Sequence, residues 1–114
     1  MVSMCLSAAE KLAQEGVDVE VLDLRTIDPM DKKAILRSVE KTSRLVIVQE
    51  TWGDCSVSSE VSAMVAEHGL YYLDAPIVRV TAEDVPVPFS PVLEEFVLPS
   101  EQKIVNAVHR VLEV

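Results

Sequence analysis

Residues 23–31 read D-L-R-T-I-D-P-M-D, and they mark the change from an extended segment to a helix. The apolar residues just before this stretch, within 18–24, are mostly β-branched, which is typical of a β-strand. Asp28 can cap a helix, and Pro29 suits its first position because the N–H that proline lacks is unpaired there anyway. The stretch therefore predicts a strand over 18–24 and a short helix over 31–41.

Three further segments repeat their apolar residues with the period of an α-helix. The stripes are Cys5, Ala8, Ala9, Leu12 and Ala13; then Val57, Val61, Met64, Val65 and His68; and finally Ile104, Val105, Val108, Val111 and Leu112. Gly16 and Gly69 are placed to end the first two helices, and Ser100 is placed to cap the last.

Two strands are predicted between these helices. The first, over residues 44–50, contains a continuous apolar run, which indicates burial on both faces of a parallel sheet. Residues 77–80 form a shorter strand. Prolines 86, 88, 91 and 99 predict that the segment 81–99 contains little helix. Alternating helices and strands favour one α/β domain over 1–114, a three-layer α/β/α sandwich with a mostly parallel sheet. Because a helix comes first, one sheet position lacks a strand, and we expect the first strand to be missing from a chain cut at its start.

The composition narrows the classes of function. A net charge of −9 without a concentrated basic patch argues against nucleic acid as a partner. No apolar run is long enough to cross a membrane, and the N-terminus lacks the pattern of a secretory signal. Cys5 and Cys55 are expected to be buried thiols that form neither a disulfide framework nor a metal site. His68 and His109 do not have a metal-binding spacing. Three isolated glycines do not make a phosphate-binding loop. We therefore expect no catalytic, cofactor-binding or metal-binding residue in this chain.

A few residues are candidates for an interface with another subunit or protein. Trp52 is the single tryptophan and is expected in a loop at the C-terminal end of a strand, the sheet edge where ligands and partners gather. Glu60 falls in the first turns of the next helix, where stabilisation by the helix dipole is the alternative explanation. Asp84, Pro86, Pro88 and Phe89 belong to a stiff extended segment that loses little entropy on docking, or that simply packs as a surface crossover.

Taken together, several stretches resemble the C-terminal domain of one kind of enzyme subunit. They are E-G-V-D-V-E-V-L-D-L-R-T-I-D-P-M-D, S-V-E-K-T-S-R-L-V-I-V-Q-E, D-A-P-I-V-R-V-T-A-E-D-V-P-V-P-F and L-E-E-F-V-L-P-S, in this order along nearly the whole chain. The subunit is the beta subunit of the thiamine-diphosphate-dependent decarboxylating component of 2-oxoacid dehydrogenases, which act on pyruvate, branched-chain 2-oxo acids or acetoin. The domain resembles the C-terminal domain of transketolase.

The resemblance implies that the parent enzyme decarboxylates a 2-oxo acid, most simply pyruvate, and passes the acyl group to lipoamide. It places thiamine diphosphate and Mg²⁺ between the alpha subunit and the N-terminal domain of the beta subunit, outside this chain, so that the chain alone is inactive. The implied partners are the alpha subunit, a second beta subunit and the subunit-binding domain of the lipoyl acyltransferase. That domain is typically basic, which suits the charge of −9. The implied location is the cytoplasm, or the mitochondrial matrix in a eukaryote.

The chain departs from the family in the turn before Glu60. Cys55, Ser56 and Ser58 stand where glycines are common, which predicts a reshaped loop. Two alternative functions stay open. One is the C-terminal domain of deoxyxylulose-phosphate synthase or transketolase, and the other is a free-standing binding module of flavodoxin-like shape.

Overall fold

The computed structural model describes residues 1–113. The helices are α1 (Val2–Gln14), α2 (Lys32–Thr42), α3 (Val57–Gly69), α4 (Pro91–Val97) and α5 (Glu101–Leu112), with a 3₁₀ turn at Leu70–Tyr72. The strands are β1 (Val46–Trp52) and β2 (Val78–Ala82). β1 and β2 are parallel, with Val46 opposite Val78 and Val48 opposite Val80. The predicted parallel pairing is therefore confirmed.

Helices cover both faces of this sheet, so the predicted three-layer α/β/α sandwich is confirmed. On one face α1 and α5 pack through a core that contains Ala8, Leu12, Val80, Ile104, Val105, Ala107 and Val108. On the other face α2 and α3 pack through Ile35, Val39, Val61, Met64 and Val65. Side chains of β1 alternate between the two cores, because Val48 packs on the first and Ile47 on the second.

The helix boundaries follow their capping chemistry. Ser100 accepts a hydrogen bond from the Lys103 N–H at 3.2 Å, as predicted for the start of α5. Gly16 follows α1 with φ +83°, a backbone conformation that glycine adopts without strain. The predicted start of α2 was wrong. Residues 27–30 form a turn with a cis Asp28–Pro29 peptide, and Asp31 is the N-cap because its carboxylate accepts the Ala34 N–H at 3.0 Å.

The strand predicted over 18–24 is also not formed. These residues are irregular, although Val19 packs on the first core and Leu24 on the second. Within residues 1–113, no backbone N–H from Asp18 to Leu24 donates a hydrogen bond. An extended segment becomes a strand only when a neighbour pairs with its backbone, and here β1 pairs with β2 alone.

Three smaller predictions were also wrong. Pro91 begins the unpredicted helix α4, in the first turn where proline is tolerated. Residues Val46 to Gln49 of β1 are only partly buried, because the outer edge of this strand is unpaired. His68 and Leu112 are exposed rather than part of the buried helix faces. Within residues 1–113, no helix combines the length and apolar character needed to cross a membrane.

Candidate interaction surface

Trp52 is the last residue of β1. The prediction that it lies in a loop after the strand is therefore wrong. Its indole N–H donates a hydrogen bond of 3.1 Å to the carbonyl of Val85, which joins the end of β1 to the proline-rich segment. The side chain is nevertheless 47% exposed. Trp52 therefore both braces the neighbouring segment and offers apolar area to solvent, which is how tryptophan commonly serves at interfaces.

The segment that follows β2 carries a run of exposed apolar side chains. They are Val85, Val87, Phe89, Val92, Leu93 and Phe96, and together with Trp52 they are named here the apolar surface. Phe89 is fully exposed and Phe96 is 71% exposed, although aromatic side chains gain much from burial. Monomeric proteins rarely leave so many large apolar side chains in water, so this segment has the composition of a contact region.

The other predicted members of this surface are polar or rigid. Asp84 and Pro86 are exposed and Pro88 is partly buried. The bond from Trp52 to Val85 is the contact that links Trp52 to the segment that carries these residues. Glu83, Asp84, Glu94 and Glu95 are exposed acidic residues beside the apolar ones along the chain. An apolar centre beside acidic groups is complementary to a partner with an apolar patch and basic residues around it.

Glu60 is the remaining residue of the predicted interface. It is exposed in the first turn of α3, and its side chain makes no hydrogen bond or ion pair within residues 1–113. A carboxylate there interacts favourably with the helix dipole. The structure therefore does not join Glu60 to Trp52 or to residues 84–89.

The turn between β1 and α3 is closed by hydroxyl groups. The carbonyl of Gly53 accepts hydrogen bonds from Arg79 Nη1 at 2.7 Å, from Ser59 Oγ at 2.7 Å and from Ser56 Oγ at 2.8 Å. Ser58 is fully buried, and its N–H donates to Gln49 Oε1 at 2.8 Å. Cys55 takes the left-handed conformation at φ 49°, where glycine would be unstrained. Serine side chains thus fix the turn at the C-terminal edge of the sheet.

Cys5 is partly buried and Cys55 is exposed, so the predicted burial of both thiols is wrong. His109 Nε2 lies 2.9 Å from Glu15 Oε2, and burial raises the pKa of the Cys5 thiol above its usual value. Within residues 1–113, no three His, Cys, Asp or Glu side chains are grouped as metal ligands.

Sequence reasoning missed the contribution of α4 to the apolar surface. Val92, Leu93 and Phe96 were not predicted because the prolines around them argued against a helix. Two signals could have revealed it: serine followed by proline at residues 90 and 91 is a common helix start, and Val92 and Phe96 have helical spacing.

Comparison with known proteins shows the family of this chain. The family model described as "Transketolase, C-terminal domain" matches residues 1–104. The chain is 46% identical over 113 residues to the mitochondrial pyruvate dehydrogenase E1 component subunit beta of Dictyostelium discoideum, which covers 99% of this chain and 32% of that protein. It is 47% identical over 111 residues to the acetoin:2,6-dichlorophenolindophenol oxidoreductase subunit beta of Bacillus subtilis, which covers 97% of this chain and 32% of that protein.

A solved structure shares the fold as well. It is titled "Split gene transketolase, inactive beta4 tetramer", and it superposes with a TM-score of 0.83 at 26% identity over 98% of this chain and 35% of that one. The chain spans about a third of the length of the relatives it matches. With the family model matching most of its length, the chain belongs to the transketolase C-terminal domain family.

Proposed function

We propose that this chain is the C-terminal domain of the beta subunit of a thiamine-diphosphate-dependent 2-oxoacid dehydrogenase, and that its role is assembly. The observation that carries the proposal is identity of 46–47% across nearly the whole chain to subunits named beta in pyruvate dehydrogenase and in an acetoin oxidoreductase. The domain spans residues 1–114, and a parent subunit of the relatives' length would supply the rest.

The parent enzyme would oxidatively decarboxylate a 2-oxo acid and transfer the acyl group to lipoamide. Pyruvate is the favoured substrate, because relatives from Dictyostelium discoideum, Rickettsia felis and Arabidopsis thaliana all carry pyruvate dehydrogenase names. Thiamine diphosphate and Mg²⁺ are assigned to parts of the parent outside this domain.

The apolar surface supports the assembly role. Trp52, Asp84, Pro86, Pro88 and Phe89 are proposed to contact the alpha subunit or a second beta subunit. Burial of Phe89 and its apolar neighbours would remove from water a set of side chains that the isolated domain leaves exposed. Glu60, which is exposed in the first turn of α3, is proposed as a polar contact.

A second proposed partner is the subunit-binding domain of the lipoyl acyltransferase. The net charge of −9, with exposed acids beside the apolar surface, favours a basic partner. The proposed location is the cytoplasm of a bacterium or the mitochondrial matrix of a eukaryote, since the relatives from Dictyostelium discoideum and Arabidopsis thaliana are named mitochondrial and others are bacterial.

A chimera tests this function. The matching third of the Bacillus subtilis beta subunit is replaced by this chain, and assembly with the corresponding alpha subunit is followed by sedimentation velocity. We expect the chimera to assemble and to oxidise substrate. Phe89→Ala should weaken assembly about tenfold or more, as loss of an interface aromatic commonly does. Tyr71→Ala is the matched control, because Tyr71 is an equally exposed aromatic residue outside the apolar surface.

Two outcomes would contradict the proposal. One is a folded chimera that stays monomeric with its alpha subunit present. The other is tight binding of thiamine diphosphate by the 114-residue chain alone in calorimetry, which would favour a free-standing flavodoxin-like module. A second candidate, the C-terminal domain of a transketolase, is favoured by the split-gene transketolase structure. A chimera that assembles only with transketolase chains would support that candidate instead.

A further inference from the structure

Helix α4 has few means of its own to stay folded. It has 7 residues, whereas isolated helices shorter than about 12–15 residues are marginal in water. Ser90, which precedes it, makes no side-chain capping hydrogen bond, and Val97 is its only buried residue. The contacts that hold α4 in place must therefore come from other elements of the fold.

Those contacts are made to carbonyl groups at the C-terminal end of α4. Lys103 Nζ donates to the Phe96 carbonyl at 2.7 Å and to the Leu98 carbonyl at 2.9 Å. The Glu83 N–H donates to the Val97 carbonyl at 3.0 Å. The last carbonyls of a helix have no partner within the helix itself, so each of these bonds satisfies a group that would otherwise be unpaired. Lys103 makes two of the three bonds.

Lys103 is held firmly in the first turn of α5. Its N–H donates to Ser100 Oγ at 3.2 Å, and the next residues, Ile104 and Val105, are buried in the first core. A cation in the first turn of a helix opposes the helix dipole, so the charge of Lys103 does not stabilise α5. The C-terminal end of α4 carries the opposite partial charge and attracts the ammonium group. The charge of Lys103 therefore stabilises the neighbouring helix and not its own.

The same ammonium group also contacts the ring of Phe96. Lys103 Nζ lies 5.8 Å from the centroid of this ring, within the range of a cation–π interaction. Phe96 is one of the members of the apolar surface that α4 carries, together with Val92 and Leu93. The position of α4 decides where these side chains project. Lys103 consequently influences how a large part of the apolar surface is presented to a partner.

We propose that Lys103 is the positioning residue of the apolar surface. Its ammonium group joins α4 to α5, and removal of that group releases α4 while the rest of the fold stays intact. A released α4 has to be ordered again on docking, which costs conformational entropy and weakens binding. The consequence for binding rests on the proposed assembly function, whereas the release of α4 does not.

Amide hydrogen exchange followed by NMR tests the release of α4 in the full 114-residue chain. The reporter is the Leu98 N–H, which donates to the Glu94 carbonyl at 3.0 Å across the last turn of α4. Lys103→Met keeps the length of the side chain and removes its charge and its donors. The Leu98 amide should then exchange about tenfold faster. Lys103→Arg keeps a charge and N–H donors and should restore slow exchange.

Two controls separate this local effect from a general loss of stability. Lys33→Met removes a lysine from the first turn of α2, where the side chain is exposed and makes no hydrogen bond or ion pair within residues 1–113. It should leave the exchange of Leu98 unchanged. The amide of Val80 in β2 reports global unfolding, and its exchange should be unchanged in Lys103→Met.

The chimera with the Bacillus subtilis beta subunit tests the consequence for assembly. Lys103→Met in the chimera should weaken assembly with the alpha subunit about tenfold, and Lys33→Met should have no effect. A chimera that does not assemble at all would contradict the proposed function. The exchange experiment on the isolated chain would still decide whether Lys103 holds α4.

The inference fails on any of three results. The first is equal exchange of the Leu98 amide in Lys103→Met and in the original chain. The second is equal acceleration of the Leu98 and Val80 amides, which would be a general loss of stability. The third is assembly of the Lys103→Met chimera with the original affinity, which would leave Lys103 no role in presenting the apolar surface.

Discussion

Residues 18–24 and residues 78–82 share a strand-like sequence pattern but have different structures. D-V-E-V-L-D-L and V-R-V-T-A both begin by alternating valine with a charged residue, a pattern typical of a strand. The second is strand β2, paired with β1 along its length, with Val80 and Ala82 buried. The first is irregular and partly exposed, with no backbone partner for its N–H groups within residues 1–113. Strand propensity thus allows an extended segment, and only a paired neighbour makes it a strand.

The largest expected difference between the two segments is in amide hydrogen exchange. The amide of Val80 should exchange only through global unfolding, because it lies in a paired strand over a closed core. Amides from Asp18 to Leu24 should exchange near the rate of free peptides. Amides from Asp18 to Leu24 should exchange about a thousandfold or more faster than the Val80 amide for a domain of ordinary stability, as measured by NMR. Comparable protection of both segments would remove the basis of the comparison.

Truncation of one valine in each segment gives the next largest effect. Val80→Ala should lower the free energy of unfolding by about 2–3 kcal/mol, because it removes two buried methyl groups and leaves a cavity. Val21→Ala should cost less than about 1 kcal/mol, since this side chain is only partly buried. Urea unfolding measures both. Equal losses would mean that residues 18–24 are packed as firmly as β2.

Two serines that precede helices should likewise differ in their effect on stability, because only one of them has a hydrogen-bond partner. Ser100 accepts the Lys103 N–H, whereas Ser90 makes no side-chain capping hydrogen bond. Ser100→Ala should therefore destabilise the chain by about 1 kcal/mol, and Ser90→Ala by only a few tenths, in thermal unfolding. A larger loss at Ser90 would show that α4 is capped in solution in a way the structure lacks.

The smallest expected effect concerns the ion pair that ties residues 17–24 to α2. Lys41 Nζ donates to Glu20 Oε2 at 2.6 Å, which lowers the pKa of Glu20 below 4.5 and raises that of Lys41 above 10.5. The carboxyl stabilises the fold above pH 4.5, and this contribution is lost as pH falls through its lower folded pKa. The lysine contribution is present below pH 10.5 and is lost as pH rises through its raised folded pKa.

Thermal melts between about pH 3 and about pH 7 should detect the acid side of this effect. The chain should lose a small amount of stability on acidification, and Glu20→Gln should lose less over the same range. Glu10→Gln is the matched control, because Glu10 is exposed and has no ion pair within residues 1–113. An identical acid response of Glu20→Gln and the original chain would exclude a contribution from this pair.

Local patterns predicted most of the fold but not the contacts between distant segments. Leu12 and Val65 are buried where the helical period places them, and Ser100 caps where its side chain can reach the Lys103 N–H. The state of residues 18–24 could not be predicted, because it depends on a neighbour that their own sequence does not specify. The start of α2 depended on the choice between two nearby aspartates, Asp28 and Asp31, both of which are good N-caps.

Local sequence features also predicted part of the candidate surface, but not the contacts between its distant segments. Asp84, Pro86, Pro88 and Phe89 stand out by composition. The bond between Trp52 and Val85 joins residues 33 positions apart and needs the register of β1 and β2 to be known. Glu60 lies in the first turn of α3, as the sequence predicts, and a contact with the helix dipole follows from that position alone.

The hydrogen bond from the Trp52 indole also gives the domain a built-in optical probe. This chain has one tryptophan, and its ring sits half in water at the junction with the proline-rich segment. Its emission wavelength should therefore report whether a partner covers the Trp52 ring or whether the ring separates from the proline-rich segment, without background from other indoles. A docking partner could be titrated and timed on the unlabelled protein, with no change to its covalent structure.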